Sequence, residues 1–490
     1  MLSPAPLLLS LIVLAQSRNV PATPPAGPHA DPLARAEQAR KQGDLASARR
    51  LYEQALAASP SDGRAAVGLG ETLTDMGDVA AAQKLLTRVV QSLPDRAEPH
   101  RALARAYLRG GQAKEAVQEA ARAVELDAAS PEGHALLGAA EVASGDAGKA
   151  VASLERALAL RPGEPVALHG LAAAYAALSD PRAEAAYERA ITADRKNLLL
   201  GVEFAEFLWR SRRYDRGKAE MERVLQEVPG NTKLRVHFGL KLAEQRDFGD
   251  AARQFEAARR AGDGSADTLF YLGSALWEVG RLEEAAVRLR EAAELSPDKF
   301  AIRHRLGRLL LFRGQTAAAV SELEQAARLA PDSAEVELDL GRAYEAAGKI
   351  PEAEAAYRKA LSLEPGLSVT HYTLGTLLAR TGRREEAQRE IAQYRDYFQK
   401  EQERRFQATS RQAELNLGWT ELDAGRAEEA VAQFGRRPDD PEALRGQAEA
   451  LSRLGRHAEA AQALERALLL DPDDHALRWA LDRERERKAR

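Results

Sequence analysis

Nine histidines and a complete absence of cysteine set the chemistry these side chains can offer. Without cysteine there is no thiol nucleophile, disulfide, thiolate metal site or cysteine-linked lipid anchor. Imidazoles can ligate metals or move protons, but five of the nine stand at equivalent places of a recurring pattern. His100, His134 and His371 share one place; His169 and His304 share the next. Residues one period apart stack as neighbours in a repeat array, which would bring His100 toward His134. No third ligand or carboxylate cluster accompanies them, so packing histidines are expected rather than a zinc site. The acidic pairs Glu283–Glu284, Glu385–Glu386 and Glu428–Glu429 fall where helices begin, and there negative charge favours the helix dipole. Gly68 and Gly70 make a GxG, but no strand precedes it. No HExxH, P-loop, nucleophile-elbow or EF-hand pattern occurs. The sequence predicts no catalytic residue, no metal site and no cofactor, hence not an enzyme.

The elements that carry these residues follow from a periodicity. Small residues recur at Ala48, Ala82, Ala116, Ala150, Ala183, Gly217, Ala251, Ala285, Ala319, Ala353, Ala387, Ala430 and Ala460. Nine of the twelve steps between them are 34 residues; the others are 33, 43 and 30. A second small residue lies twelve upstream of each (Gly70, Gly138, Gly307 and Gly341 among them), eleven in the fifth unit. A glycine usually stands between the two, from Gly43 and Gly77 to Gly425 and Gly455, and a proline closes many units, as Pro60, Pro331 and Pro365 do.

The unit 334–367 shows why the pattern means a helical hairpin. Glu337, Leu340, Gly341 and Tyr344 fall on one stripe of a first helix. Gly348 ends it, because glycine readily takes the left-handed conformation. Ala353, Tyr357 and Ala360 form the stripe of a second helix, stopped by Pro365. The small Gly341 and Ala353, positions 8 and 20 of the unit, let the helices approach while Leu340 and Tyr357 fill the flanks. One hairpin cannot bury its own apolar stripe, so copies must stack.

These units resemble tetratricopeptide repeats over roughly residues 29–474. The unit 300–333 carries Leu306–Gly307, Leu310, Gly314, Ala319, Leu323, Ala326 and Pro331 where that family has its signature residues, and the usual Trp near the start is replaced, for example by His100, His134, Leu269 or His371. The resemblance implies an all-α solenoid, a right-handed superhelix of about thirteen antiparallel helix pairs with a groove lined by first helices. Pentatricopeptide repeats, which bind RNA, step by about 35 residues; the 34-residue step and slightly acidic balance disfavour them. In the family's geometry positions 2, 5, 9 and 12 face the groove. This edge gathers Trp209, Phe270, Trp277, His304, Arg308, Arg342, Tyr372 and Trp419, either as anchors for a protein or peptide partner or as rings filling gaps between Ala-rich helices. The Lys and Asn of a chaperone-tail clamp are not recognisable, since position 9 of the first four units holds Glu37, Glu71, Arg105 and Ala139.

Composition bounds the rest. Seventy-four acidic against 70 basic residues give a net charge of −4, which argues against nucleic acid as a partner. Apolar residues reach 45% and aromatics only 5%, so the core must be built mainly from Ala and Leu. Residues 1–15 contain LLLSLIVLA (7–15), too short to span a bilayer and consistent with a cleaved signal peptide, although MLSPAP lacks Lys and Arg and an uncleaved tail is the alternative. Residues 16–32 form a Pro-rich tether. The main array is expected over 33–396, an extended helix or joint over 397–410, two further units over 411–474 and a capping helix over 475–490 with a polar outer side. After signal cleavage no transmembrane span is expected. The leader points to export, to the periplasm or cell envelope, with the cytoplasm as the alternative, and the Ala/Arg-rich composition fits a bacterium. The expected function is a non-catalytic protein-binding scaffold holding an extended segment in its groove. The alternative is an accessory subunit of an envelope-assembly, polysaccharide or pilus secretion complex, docking by its convex face or the long helix.

Overall fold

The structure is a computed structural model and describes residues 31–489. The expected leader and most of the tether lie outside the described residues, whereas the tether's last two residues start the fold. Asp31 accepts the Leu33 N–H and Pro32 opens the first helix, where its missing N–H costs nothing.

Among the described residues there are 26 helices and no strand, an all-α solenoid. The first are α1 (Pro32–Lys41), α2 (Leu45–Ala58), α3 (Gly63–Met76), α4 (Val79–Ser92), α5 (Ala97–Arg109), α6 (Ala113–Leu126), α7 (Pro131–Ala143) and α8 (Ala147–Leu160). Then follow α9 (Pro165–Ala177), α10 (Ala183–Ala193), α11 (Leu198–Arg210), α12 (Tyr214–Glu227), α13 (Thr232–Glu244), α14 (Phe248–Arg260), α15 (Ala266–Glu278), α16 (Leu282–Leu295) and α17 (Phe300–Phe312). The rest are α18 (Thr316–Leu329), α19 (Ala334–Ala346), α20 (Ile350–Leu363), α21 (Ser368–Arg380), α22 (Arg384–Asp423), α23 (Ala427–Phe434), α24 (Pro441–Arg453), α25 (His457–Leu470) and α26 (His475–Ala489). The chain forms two compact units, 225–414 and a second that combines 31–224 with 415–489.

Most hairpins are built by the same two devices. At position 8 a small residue lets the large residue at position 24 lie flat. A Cβ on Gly307 would come within 2.6 Å of Leu323, and one on Gly341 within 2.5 Å of Tyr357. Leu323, Tyr357, Phe255 and Phe434, all at position 24, are almost wholly inaccessible. Between the helices the chain turns through one left-handed residue. Gly77, at φ 86°, lets its own N–H and that of Asp78 reach the Thr74 and Leu73 carbonyls. The three units without glycine there place Ser179, Arg212 and Arg246 in the same conformation, at φ 50°, 60° and 62°.

A third device is a donor at position 4. His100 Nε2 lies 3.1 Å from the Pro94 carbonyl and Nδ1 2.6 Å from Glu119; His371 does the same with Pro365 (3.0 Å) and Glu390 (2.6 Å). Arg303 substitutes for imidazole, donating to the Pro297 carbonyl at 2.8 Å and to Glu322 at 2.9 Å. These side chains tie the loop before a first helix to the second helix of the same pair.

Residues 384–423 form one 40-residue helix, α22, laced by pairs such as Lys400–Asp396 at 2.8 Å. It runs on through Gly418 until Gly425 supplies a left-handed residue. The terminal helix α26 begins with Asp474 capping the Ala476 and Leu477 N–H groups, and buries Leu477 and Leu481. Its remaining faces are not all solvent-exposed: Glu484 is buried, and Trp479 packs on Gly148 of α8.

Candidate functional site

Within 225–414, three consecutive first helices, α15, α17 and α19, bring four of the nominated residues together. Trp277 (position 12 of its unit) sits 6.4 Å from the ring of Phe312, the last residue of α17, which is 68% exposed. Arg305 lies over the indole at 4.2 Å from the ring centre, and Arg308 at 5.8 Å. Arg308 turns its Nε to Asp339, 3.2 Å away on α19. His304 Nε2 approaches the same carboxylate at 2.9 Å and Arg342 Nη1 donates to it at 2.9 Å.

Asp339 is the hub of this arrangement, and it is buried. Burial alone would raise its carboxyl, but the His304 hydrogen bond and the charges of Arg308 and Arg342 outweigh it and hold the group below the ordinary carboxylate range. The guanidinium of Arg308 is thus fixed by a carboxylate beneath and a ring beside it, while its side chain stays 43% exposed. A positioned, half-exposed cation next to an aromatic platform can pair with a carboxylate or pack on an apolar side chain. It contains no nucleophile poised against a base. Among the described residues no group of three or more His, Asp or Glu is placed to hold a metal ion.

The other four nominees lie elsewhere. Tyr372 belongs to a second aromatic run in 225–414: it meets Tyr394 at 5.2 Å, and Tyr394 meets Phe398 at 5.3 Å. Phe270 packs on Tyr271 at 5.6 Å and is half-buried. Trp209 is withdrawn from the surface, only 7% exposed. Position 20 of its unit is Gly217, and the indole lies where an alanine methyl would stand, 2.8 Å from an added Cβ. Trp419 is half-buried, edge-on to Phe434 at 5.1 Å in the core beneath α22. Both rings pack within their own units.

Sequence reasoning missed Asp339 and Arg305, both at position 6, one place off the edge it scanned. It also missed Phe312, whose exposure follows from its place at a helix end. An acidic residue at position 6 one repeat after a position-5 histidine was the available signal. His169 and Glu203 repeat it in 31–224 at 2.6 Å.

Two models of one family, both described as tetratricopeptide repeat, match this chain: one at 39–100, 73–140 and 345–413, the other at 238–299, 304–368 and 415–475. Together these windows span more than half of the residues. None of the curated proteins compared matches the chain. Among solved structures it is similar to MamA from Desulfovibrio magneticus RS-1, with 23% identity, a TM-score of 0.33 and coverage of 34% of this chain and 96% of that one. It is similar to YrrB, described as a TPR protein with an unusual peptide-binding site, at 21% identity, TM-score 0.34 and coverage of 38% and 95%. A tetratricopeptide repeat protein from Parabacteroides merdae is 17% identical, with TM-score 0.39 and coverage of 50% and 97%. Repeat spacing, hairpin geometry and the family matches agree: the chain belongs to the tetratricopeptide repeat family.

Proposed function

We propose that this protein is a non-catalytic scaffold whose first-helix face in 225–414 holds an extended segment of a partner protein. Membership of a repeat family built for protein interaction supports the general reading. The observation that carries the specific one is the convergence of His304, Arg308 and Arg342 on one buried carboxylate, with Trp277 of the preceding repeat beside Arg308. Orienting an arginine this way before a partner arrives reduces the entropy lost on binding. The face would take a segment with an acidic side chain for Arg308 and an apolar one for Trp277 and Phe312.

The test is capture of partners from cell extract by the full chain and by the double variant Trp277→Ala/Arg308→Ala. Loss of specific partners with an unchanged helical circular-dichroism spectrum is expected. Recovery of the same partners in the same yield would show that this face is not the site.

A second reading rests on the rings of α22. Phe398 and Phe406 are 41% and 75% exposed, and the Tyr372–Tyr394–Phe398 run leads onto them. An accessory subunit of an envelope-assembly complex would dock there. Capture that survives loss of Trp277 and Arg308 but fails on Phe398→Ala/Phe406→Ala selects this reading. Both readings place the protein outside the cytoplasm, a proposal supported by the apolar run 7–15. A mature N-terminus at residue 16 in the envelope fraction is its test.

A further inference from the structure

Three successive inter-helix loops of the N-terminal repeats lie against three first helices of the C-terminal repeats, in reverse order. The three loops, α24, α26 and the 415–423 end of α22 all belong to one compact unit. The α7–α8 corner meets α26, where Trp479 packs on Gly148 and an added Cβ would stand 3.4 Å from its ring. The α9–α10 loop meets α24 and α26, and Arg212 of the α11–α12 loop hydrogen-bonds to Asn416 on α22.

The middle contact is built like a ligand in a site. Asp180 has a side chain with no exposure at all. Arg182 chelates it with two bonds of 3.0 Å, and Arg483, 303 residues away on α26, pairs with the same carboxylate. Arg445 on α24 points Nη2 at the Ser179 carbonyl, 3.5 Å away. Arg445 and Trp479 stand at position 5 of their helices and Glu449 and Arg483 at position 9, the same register that gathers His304, Arg308 and Arg342 in 225–414. The helices contribute four arginines (445, 453, 483 and 487) against Glu449 and Glu484, so the wall is cationic before Asp180 enters.

The loop itself departs from every other repeat. It alone is one residue shorter between its small positions, and Ser179, like Arg212 and Arg246 in the next two units, stands in place of glycine at positive φ. The fit is also incomplete. A cavity of about 340 Å³ remains beside the loop, and Trp479, in its wall, keeps a buried Nε1–H with no acceptor. Burial, together with the charges of Arg182 and Arg487, pulls the Arg483 guanidinium below its ordinary range despite Asp180 and Glu484.

We infer that α24 and α26 form a second peptide-binding site, that the chain's own Leu178–Pro181 segment occupies it in the free protein, and that an acidic partner segment displaces that loop. The ligand chemistry is a turn with an aspartate carboxylate for Arg483, a main-chain carbonyl for Arg445 and a following proline. A longer partner would also fill the open cavity and give the Trp479 Nε1–H an acceptor. The protein is therefore held closed by an internal ligand until an outside one competes. This site does not depend on the reading given for 225–414.

The test uses the full chain and a fluorescein-labelled peptide of residues 177–183, ALSDPRA. In fluorescence anisotropy the wild type should bind it at least tenfold more weakly than Asp180→Ala, whose own loop no longer competes. The peptide with Asn in place of Asp should not bind, nor should the variant Asp180→Ala/Arg483→Met. Hydrogen exchange over 475–489 should accelerate in Asp180→Ala while 32–126 keeps its protection, and the swap Asp180→Arg/Arg483→Asp should restore slow exchange. If Asp180→Ala loses helicity, Arg483→Met gives the same exchange readout. Equal peptide affinity in wild type and Asp180→Ala, or unchanged exchange over 475–489, overturns the proposal. So does a wild-type dimer in sedimentation whose contacts are lost on Asp180→Ala, since the loop would then be supplied by a second copy.

Discussion

Arg246 is an arginine in a conformation that suits glycine. Its φ of 62° brings Cβ close to the backbone, a strain of roughly 1–2 kcal/mol. Gly at this place loses more freedom on folding, which offsets about half of that gain. Arg246→Gly should therefore stabilise 225–414 by about 0.5–1 kcal/mol, read as a raised thermal midpoint; a lowered one would show that the arginine side chain contributes more than its backbone costs. The same scale governs pH. Burial pulls the His169 imidazole down, but the Glu203 hydrogen bond and charge outweigh it, with Asp194 adding to them, and the pKa ends above its ordinary value. A raised pKa means the folded state binds the proton better than the unfolded one. That stability is complete below pH about 6.5 and fades as pH rises through the folded-state value. Glu203→Gln should lower the His169 titration midpoint seen by NMR and flatten the fall in melting temperature above neutrality. Identical curves for the two proteins would remove Glu203 as the cause.

At the scale of the helix pair, stability depends on a small residue facing a large one. Gly307 and Leu323 meet so closely that a methyl group already needs the leucine to move. Gly307→Val adds two further carbons and should cost about 2 kcal/mol, measured by chemical denaturation. Because repeats couple chiefly to neighbours, the loss should be local: hydrogen exchange should accelerate in α17 and α18 and stay unchanged in α1 to α4. Uniform acceleration would mean that the chain unfolds as a single cooperative block. The hairpin was legible in the sequence because its determinants lie twelve to sixteen residues apart on adjoining helices. Gly307, Ala319 and Leu323 are enough to draw it. The candidate face was less legible. Trp277, His304, Arg308 and Arg342 lie on the edge that the family's geometry marks, but the acid that joins three of them sits one position aside. Trp209 fits that edge by register and is nonetheless buried, because its own unit has glycine at position 20.

Across the whole chain, long-range pairing adds something that a sum over neighbouring repeats lacks. Residues 415–489 share a compact unit with 31–224, and contacts such as Asp180–Arg483 join positions 303 residues apart. Among the described residues no helix is long and apolar enough to cross a membrane. The 34-residue period, the helix pairs, the left-handed corners at glycine and the family were all readable from the amino-acid order alone. Each is enforced by local sterics: glycine where φ is positive, alanine where backbones approach, proline where a helix must stop. The tertiary structure alone decided that Asp339 gathers His304 and Arg308 from α17 and Arg342 from its own helix, and that the loop at Ser179 meets α24 and α26. Such pairings depend on where whole helices come to rest, and no short-range spacing of side chains records that.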